Sequence, residues 1–335
     1  MMDQPILRPD TINNLRYGAD YAQAMLAGMK LDLFTALRNG PLTAEQVGEI
    51  LGVNPARLSL LLYALVAAGL LMEQDGCFTN TPEAQSFLVK GSSSYMGDTY
   101  LFHSNRWSRN LKTAESLRTG IPQAHWDFSG SSPENIEASL RRINVRTIKL
   151  AKELLERYDF SSTKSLVDVG GGGGALAITM VKACPTLRAT IIDLRQVTPI
   201  TQKIVAVEGL ADRITIIASD VAHNPVHGSY EAAVLVALLH VLSKEDAQRV
   251  VQNLSGAVLP GGSVYLIDMI LDDSRISPPE AIGFNLTAIN AFEDGSAYTE
   301  SEGRSWLRAA GFVDIQRSAH SMRDGHGLMT ARKGR

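Results

Sequence analysis

A run of five glycines follows a short apolar segment near the middle of the chain. Residues 165–175 read Ser-Leu-Val-Asp-Val-Gly-Gly-Gly-Gly-Gly-Ala, and a helix-forming segment comes directly after them. The apolar residues predict a buried strand, and the glycines let the backbone turn sharply and approach a ligand without Cβ atoms in the way. Such a loop between a strand and a helix N-terminus is typical of nucleotide binding in doubly wound sheets. We expect Gly170, Gly172 and Gly174 to line the ligand site.

Asp168, two residues before the glycines, indicates which nucleotide fits. The loop from Gly170 to Ala175 also matches the G-x-G-x-x-A dinucleotide pattern, and Asp193 has nearly the spacing of a ribose-binding acid. However, the Asp168 carboxylate would repel a pyrophosphate, and the loop and its strand contain no Lys or Arg to offset it. The same carboxylate suits a ligand with an ammonium and a sulfonium group and no phosphate. We therefore expect S-adenosylmethionine as cofactor, with a dinucleotide as the alternative.

Further polar residues fall where later strands are predicted to end, and ligands of parallel sheets gather at the carboxyl ends of the strands. Asp193 is placed to accept both ribose hydroxyls, and Ser219 with Asp220 is placed to bind an adenine amino group. His240 follows the next strand, and Asp268 lies near the end of the strand after that. An imidazole on the ligand side of the sheet is a candidate general base.

The elements that position these residues form an alternating pattern of strands and helices, which indicates an α/β fold with a mostly parallel sheet. Two final apolar runs predict an antiparallel edge. The predicted strands are Ser165–Val169, Ala189–Asp193, Arg213–Ala218, Ala232–Leu238, Ser263–Ile270, Phe312–Ile315 and Gly327–Thr330. A helix beginning after Ser243 is predicted to continue to about Val258.

Residues 1–95 predict a separate helical domain. Apolar spacing indicates a helix over 21–37, and a helix, turn, helix and hairpin follow, which together make a winged helix. Between residues 40 and 90 there are two basic and five acidic residues, a balance of 2 − 5 = −3, which is the wrong sign for binding DNA. We therefore predict a dimerisation domain, followed by a helical linker and catalytic domain over 96–335.

Composition sets further limits. The chain has 335 residues, of which 45% are apolar and 20% charged, with a net charge of −3, so neither nucleic acid nor a membrane is expected as a partner. Cys77 and Cys184 are too few and too far apart for a disulfide framework or a metal cluster, which favours a reducing cytoplasm and no metal. The first residues lack the pattern of a signal peptide.

Several short segments, taken in order, carry a resemblance that covers nearly the whole chain. They are Leu42-Thr-Ala-Glu-Gln-Val, Gly69-Leu-Leu, Asp168-Val-Gly-Gly-Gly-Gly-Gly, Ile192-Asp-Leu, Leu239-His, Leu259-Pro-Gly-Gly and Ala310-Gly-Phe. The chain resembles the class I methyltransferase superfamily, and within it the dimeric small-molecule O-methyltransferases that include caffeate, acetylserotonin and bacterial polyketide enzymes. The resemblance implies a Rossmann-like catalytic domain and a homodimer formed through the winged helix.

For the site, the resemblance implies that His240 is the general base, that Asp268 is its acidic partner, and that the acceptor is a small aromatic hydroxyl compound. The family usually has a second acid at the position of Ala297, so Glu293 or Glu300 would have to substitute. The region between the domains is rich in groups suited to an acceptor pocket. Candidates there are Phe102, His103, Trp107 and Asn144.

Other functions stay open at this point. Methylation of carbon or nitrogen would use the same fold and cofactor, and so would a family member that retains the cofactor for different chemistry. A winged-helix regulator that binds a nucleotide as its effector is a more distant alternative.

Overall fold

The computed structural model describes residues 8–104, 106–125, 130–322 and 325–335, without the side chains of Thr99, Phe102 and His103. The chain forms two compact units, residues 1–107 and 108–335. The sequence predicts a boundary at 95/96, so the units divide twelve residues later (107 − 95). The first helix of the predicted linker, Gly97–Ser104, consequently belongs to unit 1.

Unit 1 consists of helices with one small antiparallel sheet, whose strand order is β1-β3-β2. Its elements are α1 (Asp10–Lys30), α2 (Leu33–Ala36), β1 (Leu42–Thr43), α3 (Ala44–Leu51), α4 (Pro55–Ala67), β2 (Leu71–Gln74), β3 (Cys77–Asn80), α5 (Pro82–Phe87) and α6 (Gly97–Ser104). The short helix α7 (Trp107–Asn110) spans the division. The helix, helix and hairpin predicted from the sequence are therefore present as α3, α4, β2 and β3.

Local capping decides where the helices of unit 1 begin. Thr43 and Gln46 form a capping box at the start of α3, and the Asn54 side chain accepts the N–H of Arg57 at the start of α4. The prediction of one helix over 21–37 is wrong, because the chain breaks at Asp32, which has a φ of 60°. Apolar spacing continues through this break, since both helices bury apolar residues in the same core.

Unit 2 is built on a seven-stranded sheet with the order β11-β12-β8-β7-β4-β5-β6. Strands β12 and β11 are antiparallel to their neighbours, and the other pairs are parallel, as predicted. The elements are α8 (Thr113–Thr119), α9 (Pro133–Arg157), β4 (Ser165–Val169), α10 (Ala175–Ala183), β5 (Arg188–Asp193), α11 (Thr198–Val207), β6 (Ile214–Ala218), β7 (Tyr230–Val236), a 3₁₀ turn (Leu239–Val241), α12 (Lys244–Ser255), β8 (Val258–Asp268), β9 (Ile270–Leu271), α13 (Pro279–Ala291), β10 (Tyr298–Thr299), α14 (Glu300–Ala309), β11 (Phe312–Arg317) and β12 (Gly327–Lys333).

The start of β8 differs from the prediction. The sequence predicts that the preceding helix continues to about Val258, yet α12 ends at Ser255 and Val258 already pairs with Tyr230 of β7. The pairing register shifts before it resumes at Ser263, and Pro260-Gly261-Gly262 lies within that shift. Proline and glycine are tolerated there because no regular ladder bond is required of them.

Two apolar clusters cover the two faces of the sheet. One includes Trp306 and Phe312, and the other packs α9 and α10 against β4 and β5. The Arg213 guanidinium donates to the carbonyl oxygens of Val181, Cys184 and Leu187 at 2.7–2.9 Å, which closes the C-terminal end of α10. The N-terminal end of α10 is thereby fixed at the opposite edge, next to the glycines.

In the described part of the chain, no single helix has the length and apolar character needed to cross a bilayer, although α3 and α4, bent by 111°, satisfy the criteria as a pair. The same residues contain no group of three or more His, Cys, Asp or Glu side chains that could hold a metal ion.

Candidate active site

The glycine loop joins β4 to α10, and side chains from two other elements hold its central peptide groups. The N–H of Gly172 donates to Asp193 Oδ2 at 2.7 Å, and the Gly172 carbonyl accepts from Thr201 Oγ1 at 2.6 Å. Thr201 is fully buried on α11. The loop is therefore fixed from both sides before any ligand binds.

Close packing explains why glycine is needed at two of the loop positions. Gly170 has a φ of 68°, and a Cβ there would lie 2.9 Å from the side chain of Leu238. A Cβ at Gly171 would lie 2.8–2.9 Å from the carboxyl group of Asp168. Contact with Leu238 also brings the loop against the segment that leads into His240.

Asp168 ends up completely buried behind the loop, with 1% of its surface exposed. Burial is the main cause that raises the pKa of its carboxyl to about 7. The N–H of Ala177 opposes this rise, and the charge of Asp193 adds to it. Its Oδ2 atom accepts no hydrogen bond from any residue that the structure describes. A buried carboxyl oxygen without a partner favours a cationic ligand at this position.

Asp193 lies at the end of β5, as predicted. Its Oδ1 accepts the N–H of Leu194 at 2.7 Å while Oδ2 holds Gly172, and burial raises the pKa of its carboxyl despite both bonds. The next strand end lies beside it, because the Ser219 N–H donates to the Asp193 carbonyl at 2.9 Å. The Asp220 carboxylate contacts Ala222 N at 3.0 Å and His223 Nδ1 at 2.9 Å. The structure therefore brings Asp193, Ser219 and Asp220 to one sheet edge.

His240 and Asp268 form a buried pair at the same edge of the sheet. Nδ1 of His240 contacts Asp268 Oδ1, which also accepts the N–H of Met269 at 2.7 Å, and Asp268 Oδ2 accepts the N–H of Leu239 at 2.9 Å. Burial alone would raise the pKa of Asp268, but the charge and hydrogen bond of His240 hold it below its ordinary value. These three contacts hold the carboxylate, which in turn orients the imidazole.

Two aromatic apolar side chains also lie beside His240. The ring of Phe284 lies edge-on with its centroid 4.4 Å from that of His240, and Phe292 follows at 6.5 Å. Ala297 belongs to the same buried cluster as Phe284. Glu300 bonds to Arg304 and Arg317, and Glu293 is exposed. Asp268 is the one carboxylate that bonds to His240 within the described residues.

Two residues near the site were not identified from the sequence. Thr201 was missed because a threonine in a helix carries no signal of its own. His326 is fully buried just before β12, its ring centroid is 6.5 Å from that of His240, and its charge contributes to the lowered pKa of Asp268. The only signal for it was a histidine next to the first residue of the last strand.

The four predicted pocket residues have different outcomes. The side chains of Phe102 and His103 lie outside the described residues, and Trp107 belongs to unit 1, where it is 38% exposed. Asn144 lies on α9, and a Cβ at Gly173 would stand 2.5 Å from its Nδ2 atom. Its amide therefore lies against the glycine loop.

These features fit the predicted S-adenosylmethionine. The unpartnered oxygen of Asp168 suits an ammonium group, and the glycine loop lets a ligand approach the backbone closely. Asp193 lies at the neighbouring strand end, where its carboxylate can accept hydrogen bonds from ribose hydroxyls. None of these residues offers the positive charge that a pyrophosphate requires.

Comparisons with known proteins agree with this site. Residues 112–313 match the O-methyltransferase domain family, and residues 15–90 match the O-methyltransferase dimerisation domain family. Among curated proteins, a 3-hydroxy-5-methyl-1-naphthoate 3-O-methyltransferase of Streptomyces sahachiroi is 28% identical, with 92% of this chain and 90% of that protein covered. The tetracenomycin polyketide synthesis 8-O-methyl transferase TcmO of Streptomyces glaucescens is 30% identical, with 90% of each chain covered.

Solved structures show the same architecture. The S-adenosylmethionine-dependent methyltransferase SibL in its apo form superposes with a TM-score of 0.82 at 25% identity, covering 98% of this chain and all of that one. The family matches account for both the N-terminal and the C-terminal unit, and they confirm the enzyme class predicted from the sequence. The chain belongs to the O-methyltransferase family.

Proposed function

We propose that the protein transfers a methyl group from S-adenosylmethionine to a phenolic hydroxyl of a small aromatic natural product, with His240 as general base. The observation that carries the proposal is the buried His240–Asp268 pair at the sheet edge that also carries the glycine loop. The naphthoate and tetracenomycin enzymes among its relatives support an aromatic polyketide-like acceptor and a place in secondary metabolism.

The base has a definite task. A phenol with a pKa near 10 is only ~0.1% ionised at pH 7, which withholds about 4 kcal/mol of driving force from the nucleophilic oxygen. Because Nδ1 of His240 is engaged by Asp268, the nitrogen that can accept the phenolic proton is Nε2. The buried carboxylate then stabilises the imidazolium that forms.

The cofactor supplies an activated methyl group when it is bound. In the proposal, Asp168 pairs with its ammonium group, Asp193 binds the ribose hydroxyls, and Ser219 with Asp220 binds the adenine. Gly170, Gly172 and Gly174 form the floor of this site. Phe284 and Phe292 keep water away from the base.

The assembly that we propose is a homodimer formed through the winged helix of unit 1. Support comes from the dimerisation-domain match and from apolar side chains that stand exposed on α1 and α4. Ile12, Leu15 and Leu60 are each at least 70% exposed, and Tyr63 is 51% exposed. Both cysteines are free, in keeping with a cytoplasmic location.

The test is methyl transfer from labelled S-adenosylmethionine to a panel of hydroxynaphthoates and polycyclic phenols, with matched aryl amines and with methoxy analogues that leave only ring carbon available. We expect O-methylated products, and a 10²- to 10⁴-fold lower turnover for His240→Ala with unchanged S-adenosylhomocysteine affinity. Products methylated only on nitrogen or carbon would overturn the hydroxyl assignment. Unchanged turnover in His240→Ala would overturn the base.

A further inference from the structure

The side chain of Asn144 occupies an unusual position on the inner side of α9. Its amide lies so close to the glycine loop that a Cβ at Gly173 would stand 2.5 Å from Nδ2 and 2.6 Å from Oδ1. Leu140, one helical turn earlier, faces the same loop, because a Cβ at Gly172 would stand 3.4 Å from its Cδ2. One face of α9 thus covers the loop, with an apolar and a polar contact side by side.

The amide has no structural task that would explain it. None of the hydrogen bonds among the described residues involves the Asn144 side chain, although it is half-buried. An apolar residue like Leu140 would pack on glycine equally well without desolvating an amide. A half-buried polar group that packs on a ligand loop without a protein partner indicates that the ligand is its partner.

The backbone beside Asn144 offers a second donor. Gly170 and Gly171 donate their N–H groups to Ile192, Gly172 donates to Asp193, and Gly174 donates to Gly171. The N–H of Gly173 is the one in this run that donates to no described residue. A backbone N–H and an amide NH₂ therefore stand next to each other at the start of α10, where the helix dipole also favours an anion.

We propose that Asn144, together with the N–H of Gly173, binds the carboxylate of the cofactor's amino-acid group. This inference rests on the proposed cofactor site. Charge supports it, because the charged side chains assigned to the proposed cofactor site are the carboxylates of Asp168, Asp193 and Asp220, which suit hydrogen-bond donors and an ammonium but repel an anion. The two charged groups of the cofactor's amino-acid part would thus have separate partners, with Asp168 binding the ammonium and Asn144 binding the carboxylate.

The experiment compares two ligands by calorimetry. S-adenosylhomocysteine carries the amino-acid group, and 5′-methylthioadenosine shares the nucleoside and sulfur but lacks it. Asn144→Leu removes the donor at similar volume, and Asn144→Asp replaces it with a negative charge. We expect Asn144→Leu to weaken S-adenosylhomocysteine about 10- to 100-fold, the range for a hydrogen bond to a charged group, and to leave 5′-methylthioadenosine within about threefold.

Asn144→Asp is the decisive variant, because two carboxylates repel each other. We expect it to bind S-adenosylhomocysteine more weakly than Asn144→Leu does. Val145→Asp is the matched control, since it places the same charge one residue away at a 59% exposed position, and we expect it to have no effect. Retained 5′-methylthioadenosine binding shows that each variant is folded.

Three results would overturn the inference. One is unchanged S-adenosylhomocysteine affinity in both Asn144 variants, and another is a parallel loss for both ligands, which would mean that Asn144 only shapes the loop. The third is tighter binding by Asn144→Asp than by Asn144→Leu, which would place the ammonium there. If the unmodified protein binds neither ligand, the proposed function itself fails.

Discussion

Replacement of Asp168 with asparagine tests the electrostatics of the cofactor site through protein stability. The carboxyl is fully buried, and its pKa is raised from 3.8 to about 7, chiefly by burial. A carboxyl with a higher pKa in the folded than in the unfolded protein binds its proton more tightly when folded. The protonated Asp168 carboxyl therefore stabilises the folded protein fully below pH 4, and this stabilisation is lost as the pH rises to about 7. Asparagine has the same shape and no charge to lose.

The size of the effect follows from the two pKa values. Each unit between them is worth about 1.36 kcal/mol, so ionising Asp168 costs the folded protein about 4 kcal/mol above pH 7. The asparagine oxygen can still accept the N–H of Ala177. We expect Asp168→Asn to be more stable at pH 8 by about 2–4 kcal/mol, which raises the melting temperature by roughly 3–6 °C.

The assay is urea unfolding of both proteins without ligand at pH 4.5 and at pH 8. The stability gap should widen by about 3 kcal/mol between the two pH values, because the window from 4.5 to 7 spans most of the titration. Asp159→Asn is the control. Ser161 lowers the pKa of this exposed carboxyl through hydrogen bonds, so its replacement should shift the pH dependence slightly in the opposite direction. Equal pH dependence in the unmodified protein and Asp168→Asn would refute the reasoning.

The same Asp168→Asn variant should lose most of its affinity for S-adenosylhomocysteine in calorimetry, because the ammonium loses its counter-charge; unchanged affinity would remove Asp168 from the cofactor site. Asp193→Ala should weaken S-adenosylhomocysteine by about 1–3 kcal/mol, since it leaves hydroxyls and the Gly172 N–H unpaired, and an equal affinity would contradict the ribose assignment. Asp268→Asn should lower turnover less than His240→Ala does, with cofactor affinity unchanged, because the base itself is kept while its orientation and the charge that stabilises the imidazolium are lost; a greater loss than in His240→Ala would contradict the role of Asp268 as the partner of the base. Leu60→Glu should convert the dimer to a monomer in light scattering, because a two-fold interface receives the buried charge twice, and an unmodified protein that is already monomeric would exclude the proposed interface.

The sequence predicted those features of the fold that depend on neighbours a few residues apart. Thr43 with Gln46 and Thr299 with Glu302 form capping boxes at the starts of α3 and α14, and this pattern can be read from a sequence because it needs only a spacing of three. The strand ends before Gly170, Ser219 and His240 are correct within two residues for the same reason. Since parallel strands end at one edge, these local predictions were enough to assemble most of the site.

Features that depend on which face meets which neighbour were not predictable. Asn144 was assigned to the acceptor pocket because a polar residue in a helix does not reveal what its helix covers, and the structure places it against Gly173. The break at Asp32 was hidden because the apolar spacing continues through it. Asp32 adopts a left-handed conformation that aspartate tolerates better than most residues, and no glycine marks the turn.

Asp193 shows how a correctly predicted residue can still have an unpredicted second role. The sequence assigns its carboxylate to ribose hydroxyls, and the structure shows that it already holds Gly172 and Leu194 through backbone N–H groups. A carboxylate has about four lone-pair positions, so two remain for a pair of hydroxyls. The two N–H groups fix the direction in which those remaining positions point, and Thr201 fixes Gly172 from its other side. The geometry of the proposed ribose site is therefore set by the folded loop before the cofactor arrives, and little ordering is left for binding to impose.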